Sequence, residues 1–327
     1  MGYHHFREPR LASPMPVSLA KLLVVGISSR ALFDLEAEEA IFRTQGLAAY
    51  QQHQLLNENQ RLKPGAAFAL VRALLKLNRL TPDQRLVEVV IMSRNSTETS
   101  MRMFNAIKHY ELDITRAVLS GGASLAPYLH AFNVSLFLSL HEDDVQAAIN
   151  SDTAAALLYQ MPTQQNGQRD SEELDQIRIA FDGDAVIFSD ESERIFQSKG
   201  IEAFEQHERE NATKPLPQGP FARLLMALSF IQSNFKNPDG RAGPIRTALV
   251  TARSSPAHER VIRTLRAWNV TIDETFFMGG VAKSDVLAAF KPHMFFDDQP
   301  GHCDHASRHV QTGRVPIKRQ ENKHDDS

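Results

Sequence analysis

The chain has 327 residues, 42% of them hydrophobic, and a net charge of −3. That is enough apolar material for one large or two ordinary domains, and too little positive charge for a footprint on a nucleic-acid polymer. The sequence holds no apolar run of the ~20 residues that a membrane span needs, and Met1–Arg10 lacks the apolar core of a signal peptide. Cys303 is the sole cysteine, so no intrachain disulfide forms, and the expectation is a cytoplasmic protein away from the membrane.

In chain order, residues 1–19 read as an irregular tail. Lys21–Ile27 is an apolar run with the look of a buried strand. A helix-rich segment follows from about Glu36 to Asn78, broken near Lys63-Pro64-Gly65. Val87–Met92 reads as a strand, Thr97–Tyr110 as a helix, and Ala117–Ser120 as a short strand before Gly121-Gly122. Val134–Leu140 is a further strand, and Glu142-Asp143-Asp144 opens a helix. Gln164–Asp170 is polar, contains Gly, and reads as a linker.

The second half repeats this order. Ile177–Phe181 is a strand, about 189–245 is helix-rich, Arg246–Val250 is a strand, and His258–Trp268 is a helix. Thr275–Met278 leads to Gly279-Gly280, Ser284–Phe290 is a short helix, and His293–Phe296 is a strand. Local matches reinforce the order: Ala40-Ile-Phe-Arg-Thr-Gln-Gly46 parallels Arg194-Ile-Phe-Gln-Ser-Lys-Gly200, and Tyr50 and His53 fall opposite Phe204 and His207. The expectation is an α/β fold, a Rossmann-like parallel sheet flanked by helices, built from two copies of one module. The expected boundaries are 20–162 for a degenerate first module and 171–317 for a catalytic second one with a helical insertion at about 189–245. Residues 318–327 form a second irregular tail.

The copies differ in their polar residues. Opposite Asp182 and Asp184 the first half reads Ile27 and Ser29. Opposite Thr251 it reads Met92, opposite Lys283 Leu125, and opposite Asp297 Ser139, whereas Arg94 falls opposite Arg253. In the second half, Asp182-Gly183-Asp184, Thr251 and Asp297-Asp298 end three strands, and Lys283 opens the helix before the last of them. In an open α/β sheet those ends share the ligand-binding edge. Oxygen ligands from Asp182, Asp184, Asp297 and Asp298 suit Mg²⁺. Thr251, Lys283, Arg253 and the backbone N–H groups of Gly183 and Ala252 suit a phosphate. Asp182 is then placed to attack phosphorus and Asp184 to protonate the leaving alkoxide. Each fragment also has a plainer reading: a solvated Asp-Gly turn, a structural Thr, a helix-capping Asp pair. Order favours the site, and it differs from that of receiver-type phosphoacceptors, whose acid pair precedes the acceptor Asp.

The motif Asp182-Gly-Asp-Ala-Val resembles the first motif of haloacid-dehalogenase-like phosphohydrolases, with Thr251, Lys283 and Asp297-Asp298 as the second, third and fourth. Lys291 competes for the third place but lies directly before Pro292. More narrowly, Ser28–Asp34, Pro64–Asn78, Met92–Ser96 and Phe181–Glu193 resemble the cytosolic 5′-nucleotidase type I family, from about Lys21 to Ile317. The resemblance implies a Mg²⁺-dependent hydrolase of nucleoside 5′-monophosphates, often favouring AMP. Asp182 would be the nucleophile and Asp184 the acid/base, with Asp297 on the metal and Asp298 beside it. Phe196, Phe204, His207 and Phe221 are aromatic candidates for the base, each equally readable as packing. The competing expectations are a phosphatase of another small phosphate and a nucleotide sensor without turnover. Polar residues retained at 93–96 leave the first module open to a nucleotide effector or a homo-oligomer contact.

Overall fold

A computed structural model describes residues 18–161, 176–235 and 243–319. The expected linker Gln164–Asp170 and most of both tails lie outside these residues. The strands are β1 Leu23–Ile27, β2 Phe33–Asp34, β3 Lys63–Pro64, β4 Val87–Ser93, β5 Arg116–Leu119, β6 Leu136–Ser139, β7 Ala155–Leu158, β8 Ile177–Phe181, β9 Ile245–Thr251, β10 Glu274–Phe277, β11 Met294–Asp297 and β12 Thr312–Arg314. β2 and β3 form a small antiparallel pair. The other ten make one sheet in the order β10-β9-β8-β11-β12-β7-β6-β1-β4-β5.

The central strands are buried on both faces, as their near-continuous apolar runs require: every residue of Leu23–Ile27 and of Val87–Ser93 is buried. Glu88 is the charged exception in β4, and it is held by Arg85 at 2.8 Å and Arg116 at 2.7 Å. Helices such as Phe68–Lys76, Met101–His109 and Ala222–Asn234 turn their apolar faces to the core. Among the described residues no helix is long and apolar enough to cross a membrane.

Besides the short pair β2 and β3, two strands of the large sheet are absent from the sequence reading, and they are the pair that joins the halves. β7 is Ala-Ala-Leu-Leu, with no β-branched residue, and β12 is Thr-Gly-Arg, with one β-branched residue beside a Gly; neither carries an alternating signal. All other neighbours in the sheet are parallel, but β12 pairs antiparallel with β7. The strand carboxyl ends of the two halves therefore face opposite edges of one continuous sheet.

The second half repeats the strand order of the first, β10-β9-β8-β11-β12 against β5-β4-β1-β6-β7. Equivalent hydrogen bonds set the register between them. Ser28 N–H donates to Leu138 O at 3.0 Å, as Asp182 N–H does to Phe296 O at 2.7 Å. Asn95 N–H donates to Ser93 Oγ at 3.1 Å, as Arg253 N–H does to Thr251 Oγ1 at 3.2 Å. Arg102 and Arg260 each place Nε 3.1 Å from a carbonyl, of Gln60 and Lys214. The residues opposite Asp182, Thr251 and Arg253 are thus Ser28, Ser93 and Asn95. The sequence pairing with Ile27, Met92 and Arg94 is off by one. At the first strand, the turn Gly183–Ile187 is one residue longer than its counterpart Ser29–Leu32; at the second, identity of Arg94 with Arg253 masks the register. Ser139 opposite Asp297 and Leu125 opposite Lys283 hold.

Candidate active site

β8 and β11 are adjacent, and the chain leaves them in opposite directions across the sheet, so a crevice opens at their carboxyl ends. Asp182 directly follows β8 and Asp297 ends β11; both are buried. Lys283 precedes the helix Ser284–Phe290 and reaches between them, with Nζ 2.9 Å from Asp182 Oδ1 and 2.7 Å from Asp297 Oδ2. Lys291 stands beyond that helix, before the amino end of β11, so Lys283 is the lysine of this cluster.

Gly183 lets the chain pass closely here: a Cβ at this position would meet Thr251 Oγ1 at 3.2 Å. The following turn closes with Phe188 N–H on Gly183 O at 2.9 Å, an i to i+5 bond, with Ala185 in the left-handed region at φ 59°. It places Asp184 against Arg253. Asp184 Oδ2 and Oδ1 accept from Arg253 Nε at 2.8 Å and Nη2 at 2.6 Å, a bidentate pair. Thr251 ends β9 next to β8, and Ala252 after it is exposed.

Arg253 is anchored from behind by a partner that the sequence reading did not contain. Its Nη1 donates to Glu208 Oε2 at 2.6 Å. Glu208 is fully buried and also accepts from Ser192 Oγ at 2.8 Å and Arg260 Nη1 at 3.0 Å. Arg253 also stacks near Phe204, 5.5 Å from the ring centroid. Of the other aromatic candidates, Phe221 is core, packed on Phe181 and Phe296. His207 contacts Arg260, and Phe196 is exposed above Phe204.

The electrostatics follow from burial of several like charges. Burial pushes the Asp182 carboxyl up to about 7, against the pull of Lys283, with Asp297 adding to the rise. Burial, then Asp182 and Asp297, pushes Asp298 up to about 8. Asp297 goes the other way: burial opposes ionisation, but His302 and Lys283 outweigh it and hold it below the usual range. Burial alone would lower Lys283; Asp182 and Asp297 raise it instead.

The carboxylates here fit a hard cation, and one nitrogen donor stands beside them. Asp182, Asp297 and His302 each offer a ligand atom, all within 4.8 Å of one another. Asp298 Oδ1 is buried without a hydrogen-bond partner. His302 is the residue the sequence reading missed. Its signal was Pro300, which opens the helix Pro300–Ala306 just after the acids and sets His302 in its first turn, 3.3 Å from Asp297 Oδ2. Of the four acids expected on the metal, Asp182 and Asp297 belong to this cluster, whereas Asp184 faces Arg253.

A family model described as 5′-nucleotidase matches residues 15–322. Human cytosolic 5′-nucleotidase 1B is 38% identical over 310 residues, which cover 92% of this chain and 50% of that protein. The chain thus spans about half the length of that relative.

Proposed function

The chain belongs to the 5′-nucleotidase family, and from that premise we propose that its second half hydrolyses nucleoside 5′-monophosphates, AMP among them, with Mg²⁺. The observation that carries the proposal is Lys283 bridging Asp182 and Asp297 at the strand-end crevice, within a chain that the family model matches almost throughout. We further read the two halves as copies of one module, 20–162 and 171–317, of which the second keeps the chemistry. Repeated strand order and equivalent hydrogen bonds support this. The relative's name supports a cytosolic setting.

Asp182 and Asp297 would hold the Mg²⁺ through carboxylate oxygens, with Asp298 and His302 beside them. Bound there, the ion supplies positive charge that offsets repulsion between a phosphate dianion and the attacking carboxylate. Asp182 attacks phosphorus, the bond from phosphorus to the 5′-oxygen breaks, and an aspartyl phosphate forms on Asp182. Asp184 gives its proton to the leaving 5′-oxygen and then takes one from the water that releases phosphate. Lys283 orients Asp182. Thr251, the N–H groups of Gly183 and Ala252, and Arg253 hold the phosphate oxygens. Arg253 first has to exchange Asp184 for substrate, because its Nε and Nη2 are both engaged by that carboxylate. Glu208 keeps Arg253 in reach during that exchange.

The test is phosphate release from a panel of nucleoside 5′-monophosphates and sugar phosphates, with Mg²⁺ and with EDTA. Mg²⁺-dependent release from nucleotides supports the proposal. Release from sugar phosphates alone overturns the substrate assignment, and release from none overturns the hydrolase reading.

A further inference from the structure

The sheet edge opposite the catalytic one holds a cavity of about 490 Å³. It lies at the carboxyl ends of β1 and β6, the first-half counterparts of β8 and β11. Its volume falls within the roughly 300–1,000 Å³ of small-ligand sites.

Its floor differs from the catalytic site in its polar residues. Serines replace the strand-end residues: Ser28 for Asp182, Ser93 for Thr251, Ser139 for Asp297. Two guanidinium groups are added, Arg94 opposite Ala252 and Arg30 in the turn equivalent to the one bearing Asp184. Three carboxylates also line the cavity, and each is already paired. Glu38 is held by Arg102, Glu39 by Arg30 at 3.3 Å, and Asp144 by Arg94 at 2.5 Å. Among the described residues, the cluster with metal-ligand spacing is the second-half one.

Two features indicate an occupant. The buried Nε of Arg30, on the cavity wall, has no hydrogen-bond partner, and behind the wall Gln54, which takes the place of Glu208, leaves its buried Oε1 unpaired as well. Gln54 Nε2 donates to Tyr50, which lines the cavity and in turn bonds Asn95. The mouth also keeps the apolar rim of the catalytic half. Phe42 and Leu47 are 46% and 57% exposed, against 44% and 54% for Phe196 and Ile201. Both rims flank a glycine kink, Gly46 at φ 84° and Gly200 at φ 81°. The pair Phe42–Tyr50 meets edge-on at 5.9 Å, as Phe196–Phe204 does at 6.3 Å.

The first half thus retains an aromatic rim over a floor of hydroxyls and guanidinium groups. We propose that this cavity is a second ligand site, which binds a nucleoside phosphate without a metal ion and leaves it intact. Guanidinium and hydroxyl donors suit phosphate oxygens, and the exposed aromatic edge suits a base. Without a carboxylate at the nucleophile position, the bound ester is not attacked. The ligand class rests on the reading of the second half given above.

The test is equilibrium dialysis of the full chain in EDTA against labelled purine and pyrimidine nucleoside 5′-mono- and diphosphates. One equivalent of at least one of them binds in EDTA, and Asp182→Asn leaves that binding unchanged. Arg94→Gln weakens it roughly ten-fold or more. Phe42→Ala, at an exposed position that folding tolerates, weakens it several-fold, and Mg²⁺-dependent phosphate release by both variants reports an intact fold. No binding of any panel member at millimolar concentration overturns the proposal. So does EDTA-resistant binding that survives both substitutions, or that is lost with Arg253→Gln instead. EDTA-resistant, Arg94-dependent binding in a chain that releases no phosphate leaves this site standing and removes the hydrolase reading alone.

Discussion

Lys283→Met probes the electrostatics of the crevice without any substrate. Methionine keeps most of the stem volume and removes the charge that lies 2.9 Å from Asp182 and 2.7 Å from Asp297. Taking one partner from a buried ion pair costs about 3–5 kcal/mol, because the remaining charge is left uncompensated. That cost depends on pH. A carboxylate whose folded pKa is raised binds its proton more tightly in the folded state. Its burial lowers stability progressively as pH rises from the unfolded value of ~3.9 through the folded one. Asp182, at about 7, is protonated at pH 5.5 and asks little of Lys283 there. At pH 9 it is ionised, and without the lysine its pKa climbs further, extending the loss to higher pH. Urea unfolding in EDTA is the assay. The variant loses about 3–5 kcal/mol relative to the parent at pH 9, and at least ~1 kcal/mol less than that at pH 5.5. A loss that is equal at both pH values, or below ~1 kcal/mol at pH 9, refutes the reasoning.

Asp184→Asn keeps a hydrogen-bonding group at Arg253 and removes the carboxyl proposed as the proton donor. It lowers the rate of phosphate release by about 10²–10⁴-fold at saturating substrate, read from the pH–rate profile, which also loses one limb. Glu208→Ala strips the buried carboxylate from Arg253 and Arg260, and denaturant unfolding registers a loss of about 3–5 kcal/mol. His302→Ala raises the Mg²⁺ concentration for half-maximal phosphate release by roughly 10- to 100-fold, whether the ring binds the ion or orients Asp297. An unchanged Mg²⁺ titration removes His302 from the metal site.

Much of this architecture is legible in the sequence because it rests on local signals. Leu23–Ile27, Val87–Ser93 and Ile177–Phe181 are largely buried and therefore read as apolar runs, broken only by Glu88 and Arg178 before their carboxyl ends. Asp182, Thr251 and Asp297 stand out because polar residues abruptly end such runs. The junction of the halves is not legible. Ala155–Leu158 and Thr312–Arg314 become strands through pairing with each other and with β6 and β11, a gain that neither segment encodes alone. The comparison of the halves slips by one residue, since Gly183–Ile187 holds an extra residue in an i to i+5 turn that composition does not reveal. Glu208, Ser192 and Arg260 escape for another reason. They lie on helices where charged residues ordinarily face solvent, and only tertiary packing buries Glu208 between two arginines.

The central claim is that Asp182 is the nucleophile of a Mg²⁺-dependent phosphohydrolase. Its most direct test is phosphate release from AMP by the parent chain and by Asp182→Asn, side by side in Mg²⁺ and in EDTA. The account predicts release by the parent in Mg²⁺ only and none above background by the variant under either condition. Comparable release by Asp182→Asn, with both proteins folded, would contradict it.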